Sequence, residues 1–231
     1  KLSELRNVSA EDLLGRDAIA PNEEMLKRNI EGKSVMVTGA GGSIGSELCR
    51  QILIQNPKTL ISYDISEYAL YSIAGDLQKI RDRSSVSVQI VPVIGSVQRA
   101  SRLISTIEEH AVETIYHAAA YKHVPLVEEN IVEGVLNNVF GTLAVVNASH
   151  ELAVDNFILV STDKAVRPTN VMGATKRIAE LICQSFAEKK TATTFSMVRF
   201  GNVLGSSGSV IPRFRKQIEE GGPITVTHRE I

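Results

Sequence analysis

The short apolar run Ser34-Val35-Met36-Val37-Thr38 leads directly into Gly39-Ala40-Gly41-Gly42-Ser43-Ile44-Gly45, and a helical pattern over Ile44–Gln55 follows. This passage constrains the fold more than any other. A strand that ends in a glycine-rich turn and reopens as a helix needs a tight bend and close approach between helix and strand. It also leaves backbone N–H groups at a helix N-terminus, where an anion is favoured. Gly39, Gly42 and Gly45 supply the bend, and Gly42, Ser43, Ile44 and Gly45 the opening amides. The expected ligand is the pyrophosphate of a dinucleotide; a glycine-rich turn with no ligand is the plainer reading.

The rest of the chain repeats strand then helix. Strands are expected at Thr59–Tyr63, Val86–Val93, Thr114–His117, Phe157–Ser161 and Thr194–Phe200. Helices are expected after Ser66, with Leu70, Ile73, Leu77 and Ile80 inward, and over Gln98–His110, Ile131–Ala153 and Val171–Glu188, with another from Pro212. Near-continuous apolar strands alternating with helices predict an α/β fold, a doubly wound parallel sheet covered on both faces. Sites in such sheets lie beyond the carboxyl ends of the strands. Residues 1–32 are polar and read as a linker or arm with a turn of helix. Residues 33–200 form the nucleotide-binding domain, and 201–231 begin an incomplete substrate-binding part.

Composition bounds the function. The 231 residues carry a net charge of −1, which gives no reason to expect nucleic acid or an anionic membrane surface as partner. No apolar run reaches about 18 residues, so no membrane span is expected in this segment. Cys49 and Cys183 fit no metal or redox spacing and read as reduced buried thiols. No metal site is expected. The chain starts at Lys1 and stops at Ile231 without a closing element, which reads as a fragment of something longer, weakly active by itself.

Chemistry concentrates after the strands. Asp64 stands nineteen residues after Gly45. A carboxylate there can accept the adenosine ribose hydroxyls and repel a 2′-phosphate, favouring NAD over NADP; the alternative is a cap for the next helix. Ala118-Ala119-Ala120 allows backbone to approach a flat cofactor. Lys122 beyond it suits either a sugar or phosphate contact or a solvated charge. His117 is read as a packed structural residue. Asn202 and the Ser207-Gly208-Ser209-Val210 stretch before Pro212 suit a diphosphate or a long surface loop, with Val203 on the cofactor side.

Ser161-Thr162-Asp163-Lys164, followed by Met172-Gly173-Ala174-Thr175-Lys176, carries the most chemistry. A hydroxyl, an acid and a base stand in a row, with a second lysine on the next helix. Such a set is suited to proton transfer at a substrate carbon. Met172 can neither give nor take a proton.

These segments resemble the nucleotide-sugar 4,6-dehydratases of bacterial polysaccharide biosynthesis, an extended branch of the short-chain dehydrogenases. The resemblance rests on the glycine spacing, on His117 through Pro125, on Ser161 through Lys164, and on Arg199 through Pro212. It covers about residues 34–231. It implies UDP-N-acetylglucosamine as substrate, a UDP-4-keto-6-deoxy sugar as product, and one NAD recycled at each turnover. It also implies a homo-oligomer. Thr162 would then hold O4, Lys164 act as the C5 base, Asp163 as the acid at O6, and Lys176 bind the nicotinamide ribose. Met172 takes the slot where the superfamily has Tyr. That exchange resembles the long, membrane-anchored members, whose catalytic domain faces the cytoplasm from the bacterial inner membrane. Gly95-Ser96-Val97 departs from the many relatives with Asp after Gly, so Ser96 would meet the adenine amino group more weakly. An epimerase, a simple dehydrogenase and a non-catalytic NAD-binding protein are the competing classes.

Overall fold

Six parallel strands form one sheet in the order β3-β2-β1-β4-β5-β6. They are β1 Ser34–Thr38, β2 Thr59–Asp64, β3 Gln89–Ile94, β4 Thr114–His117, β5 Asn156–Thr162 and β6 Thr194–Phe200. The computed structural model describes residues 21–84, 86–189, 191–203 and 210–225. Helices among these are α1 Glu23–Arg28, α2 Ser43–Leu53, α3 Glu67–Ser84, α4 Ala100–Glu109, α5 Val124–Glu129, α6 Ile131–Glu151, α7 Val171–Ala187 and α8 Val210–Glu219. Met25–Gly201 is one unit, and Lys1–Glu24 with Asn202–Ile231 is the other. In the second unit, Gln217 of α8 is tied to Thr225 through its side chain, with Nε2 to Oγ1 at 2.8 Å.

The alternating faces of the strands build two cores. Val35, Val37 and Leu60 pack with Cys49, Ile52, Leu70 and Leu77 from α2 and α3. Met36, Ile61, Ile115 and Phe157 pack with Leu103, Val145 and Ala179 from α4, α6 and α7. Each fully buried aliphatic side chain contributes about 1.5–3 kcal/mol, so the central strands are held from both sides.

Strand register positions the site. Thr38 is level with Tyr63 and His117, and His117 with Leu159. β5 therefore runs three residues past β4 and carries Thr162 beyond the sheet edge, opposite Phe200. The chain reverses direction across the sheet between β1 and β4, which opens a crevice at their carboxyl ends.

Several expectations are corrected. β3 starts at Gln89, not Val86, and Pro92 is tolerated within it because β3 is an edge strand. The segment through Pro125, read as loop, includes α5, with proline in the first turn where no N–H is missed. The long helix α6 holds a π-turn at Leu136–Phe140. α6 is also long and apolar enough to cross a membrane by composition, against the expectation of no such segment. Its Val145, Val146 and Ala148 are instead buried in the core.

Candidate active site

The glycine turn is built by close contacts that a Cβ would fill. Gly39 has φ of 71°, and a Cβ there would lie 2.6 Å from the amide nitrogen of Ala119. A Cβ on Gly45 would run into the Gly39 carbonyl oxygen. Gly42 caps α2 and has no side chain to bond the first amides. The N-terminus of this eleven-residue helix is a place where an anion is favoured. These features fit a dinucleotide, with Gly42, Ser43, Ile44 and Gly45 at its pyrophosphate.

Asp64 closes one end of this turn. Its Oδ2 accepts the Gly41 N–H at 2.8 Å, and its Oδ1 accepts the Ser66 N–H at 2.8 Å. Asp64 therefore shapes the glycine turn and the entry to α3, and it lines the hollow beside them. Ser66 caps α3 as expected, accepting the Ala69 N–H at 3.3 Å. The hollow, about 300 Å³, is lined by Asp64, Gly95, Ser96, Val97, Ala118 and Ala119 among others. Ser96 spends its hydroxyl on the Gln98 N–H at 3.2 Å.

A second hollow of about 520 Å³ continues from Gly42, Ala118 and Ala120 to Lys122 and His123. Ser43, Ile44 and Gly45 also line it. Sequence reasoning missed the residue that holds this wall, Asn138. Placed in the π-turn and 1% exposed, its Oδ1 accepts the Tyr121 N–H at 2.8 Å and its Nδ2 donates to the Tyr121 carbonyl at 3.0 Å. The same Nδ2 lies 3.0 Å from Thr175 Oγ1, next to Lys176. Its signal was a pair of asparagines inside an otherwise apolar helix.

His117 is the packed residue expected. It is fully buried, with Nδ1 2.6 Å from Thr38 Oγ1 and Nε2 3.0 Å from Thr142 Oγ1. Thr142 gives its own proton to the Asn138 carbonyl, so the histidine carries its proton on Nε2 and accepts from Thr38. Burial, helped by the Lys176 charge, pushes its pKa down to about 3.

The end of β5 brings Thr162, Asp163 and Lys164 together. Thr162 Oγ1 donates to Asp163 Oδ1 at 2.9 Å, and Lys164 Nζ donates to the same oxygen at 3.3 Å. The Thr162 hydrogen bond, with Lys164 beside it, holds the exposed Asp163 carboxyl below its ordinary value. Asp163 is therefore a carboxylate at neutral pH, not yet the acid that a leaving hydroxyl needs. Lys176 on α7 is a strongly depressed lysine. Lys176 is 5% exposed, donates from Nζ to the Val160 carbonyl at 2.8 Å, and is brought down to about 8 by burial, against the pull of Glu180.

Met172 is buried in the first turn of α7 at 3% exposure. Asn170 caps that turn through the Gly173 N–H at 2.7 Å, and Glu128 of α5 accepts the Val171 N–H at 2.7 Å. Asn202 and Val203 belong to the second unit and are exposed. Val210 and Pro212 fall within α8; their side chains, and Ser207, Gly208 and Ser209 entirely, lie outside the described residues.

Comparison with known proteins agrees with this geometry. A family model described as polysaccharide biosynthesis protein matches residues 35–231. Capsular polysaccharide biosynthesis protein CapD of Staphylococcus aureus is 48% identical over the whole chain, which covers 38% of that protein. UDP-N-acetylglucosamine 4,6-dehydratase (inverting) of Campylobacter jejuni is 36% identical over 84% of the chain and 57% of its own length. UDP-glucose 4-epimerase of Rickettsia rickettsii is 34% identical over 84% of the chain and 56% of its own length. The structure of DesIV, a dTDP-glucose 4,6-dehydratase from Streptomyces venezuelae with NAD and TYD bound, matches with a TM-score of 0.71 at 20% identity, over 83% of this chain and 63% of that one. The chain thus spans less than two thirds of the length of these relatives. A six-stranded doubly wound sheet with a glycine-cradled cleft, matched along residues 35–231, makes this chain a member of the polysaccharide biosynthesis protein family, on the extended short-chain dehydrogenase fold.

Proposed function

We propose that this domain catalyses the 4,6-dehydration of a UDP-N-acetylhexosamine, UDP-N-acetylglucosamine first, to a UDP-4-keto-6-deoxy sugar with recycled NAD. The observation that carries the reading is the hydrogen-bonded row Thr162–Asp163–Lys164 at the end of β5, with a buried thioether in the slot of the usual tyrosine. An epimerase or alcohol dehydrogenase needs proton transfer only at oxygen. A dehydratase needs a base at C5 and an acid at O6, and this row holds both. The name of the Campylobacter jejuni relative supports the substrate class, and NAD in the DesIV structure supports the cofactor.

The chemistry that NAD supplies is hydride acceptance from C4 and its return at C6. The protein's residues handle the protons. Thr162 holds O4, and its hydroxyl already points its proton at Asp163. As C4 is oxidised, the O4 proton passes through Thr162 to the Asp163 carboxylate, which replaces the missing tyrosine as acceptor. Lys164, in its free-base form, is the C5 base and takes the C5 proton. Asp163 then delivers its proton to O6, which leaves as water. Lys164 returns a proton to C5 as hydride reaches C6. Atoms balance: the sugar loses one water, Asp163 ends as the carboxylate and Lys164 as the free base that began the cycle.

Lys122 serves the nucleotide sugar in this reading, and Asp64 the adenosine ribose. The reaction takes place on the cytoplasmic side, where such sugars and NAD are available. The test is incubation of a full-length protein carrying this domain with UDP-N-acetylglucosamine, followed by mass measurement. A product lighter by one water is expected. Unchanged mass with an inverted centre would make it an epimerase, and loss of two hydrogens a dehydrogenase.

A further inference from the structure

Glu180 is a buried acid that the reaction above does not use. It sits on α7 one helical turn after Lys176, and its side chain is 0% exposed. Its carboxylate takes four donors: Ser161 Oγ at 2.7 Å, Arg177 Nη1 at 2.9 Å, and Arg199 Nε and Nη2, both at 2.6 Å. The paired bonds from one guanidinium have the forked geometry that is strongest for a carboxylate. Burial by itself would raise the Glu180 pKa, but the bonds from Arg199, Ser161 and Arg177 outweigh it and hold the group at about 2. It is ionised at every working pH.

The three partners come from three elements, and each borders the chemistry. Ser161 precedes Thr162 on β5, Arg177 follows Lys176 on α7, and Arg199 lies near the end of β6, opposite Ser161. Gly201, two residues after Arg199, approaches Asp163 so closely that a Cβ there would be 3.4 Å from Oδ2. One carboxylate thus ties together the ends of β5 and β6 and the helix that presents Lys176.

We propose that Glu180 is a positioning residue that keeps the buried Lys176 an ammonium and fixes it against the end of β5. This rests on the role given to Lys176 above. A buried ammonium is costly without a counter-charge. The other groups around Lys176 are the Val160 carbonyl, which accepts its proton, and neutral His117 from β4. Asp163 is occupied by Thr162 and Lys164, and Arg177 and Arg199 carry positive charge, which can only oppose an ammonium. Among the described residues, Glu180 is the anion whose charge reaches Lys176.

The test reads Lys176 directly, without substrate or cofactor, so it stands or falls separately from the dehydratase assignment. The chain is labelled with ¹³Cε-lysine, the Lys176 resonance is assigned by its loss in Lys176→Met, and its shift is titrated from pH 6 to 11. The parent midpoint is expected near 8. Glu180→Gln should lower it by about one unit or more, and Glu180→Asp should restore part of the shift. Arg199→Gln unmasks the Glu180 charge and should raise the midpoint. The opposite signs separate a charge effect from loosened packing. An unchanged midpoint in Glu180→Gln overturns the proposal. If that variant fails to fold, Arg199→Gln decides, and an unchanged or lowered midpoint there overturns it.

Discussion

Acidification to pH 5 should destabilise this fold through His117. The histidine lies between Thr38 and Thr142, fully buried, and its pKa is pushed from 6.5 down to about 3 by burial and by Lys176. A group with a depressed folded pKa binds its proton more readily in the unfolded chain. The stability that neutral His117 gives is therefore present above about pH 6.5 and drains away as pH falls towards 3. Between pH 7 and pH 5 the unfolded chain gains about 2 kcal/mol from protonating this one imidazole, and by pH 3 about 5 kcal/mol. The upper window is diagnostic because most carboxylates are still ionised there. The other histidines among the described residues are at least partly exposed. Urea unfolding at pH 7 and pH 5 measures the loss directly. His117→Gln keeps a donor and an acceptor but does not titrate, so its loss over the same window should fall below about 0.5 kcal/mol. Absolute stability of the variant is irrelevant; the comparison is of the two pH differences. A parent protein equally stable at pH 7 and pH 5, or a variant that loses as much as the parent, would refute the reasoning.

With Asp64 proposed at the adenosine ribose, titration should show NAD binding more tightly than NADP; a tenfold preference for NADP, about 1.4 kcal/mol, would contradict that. Gly45→Ala sets a methyl against the Gly39 carbonyl oxygen, and should cost about 1–3 kcal/mol by thermal unfolding and weaken NAD binding; an unchanged Tm and affinity would show that the turn can yield. Met172→Tyr should retain dehydration, since Asp163 takes the O4 proton in this account; loss of turnover in a folded variant would mean that the thioether shapes the pocket.

The sheet was legible because each of its signals is local. The apolar run before Gly39 could only be a strand, and a Cβ at Gly45 has no room, so the turn and its helix follow from a few residues. The positions of Asp64 and Thr162 at strand ends, and of Lys176 on the helix after β5, could be read the same way. What could not be read depends on contacts between distant segments. Asn138 is 17 residues from Tyr121 and 37 from Thr175 along the chain, and only the π-turn aims it at both. Pro125 stands where a helix begins, at the end of a stretch expected to be loop. The ionised state of Asp163 is set by the orientation of the Thr162 hydroxyl, and the charge of Lys176 depends on a glutamate whose own partners lie on β5 and β6. Burial separates the two lysines in a way no local pattern shows: Lys176 on the helix is desolvated, whereas Lys164 on the turn keeps a carboxylate beside it.

The claim that Lys164 and Asp163 divide the proton work at C5 and O6 is tested most directly by proton NMR of UDP-N-acetylglucosamine turned over in heavy water by the full-length protein. The parent should place deuterium at C5 of a product lighter by one water. Lys164→Met should allow C4 oxidation, seen as reduced nicotinamide, but show no C5 exchange. Asp163→Asn should slow C4 oxidation, because the O4 proton has lost its acceptor, and stall before water is lost while C5 exchange continues. Loss of a placed acid or base typically costs about 10²–10⁴ in rate, well above scatter. Full C5 exchange by Lys164→Met would contradict the account and move the base to another group.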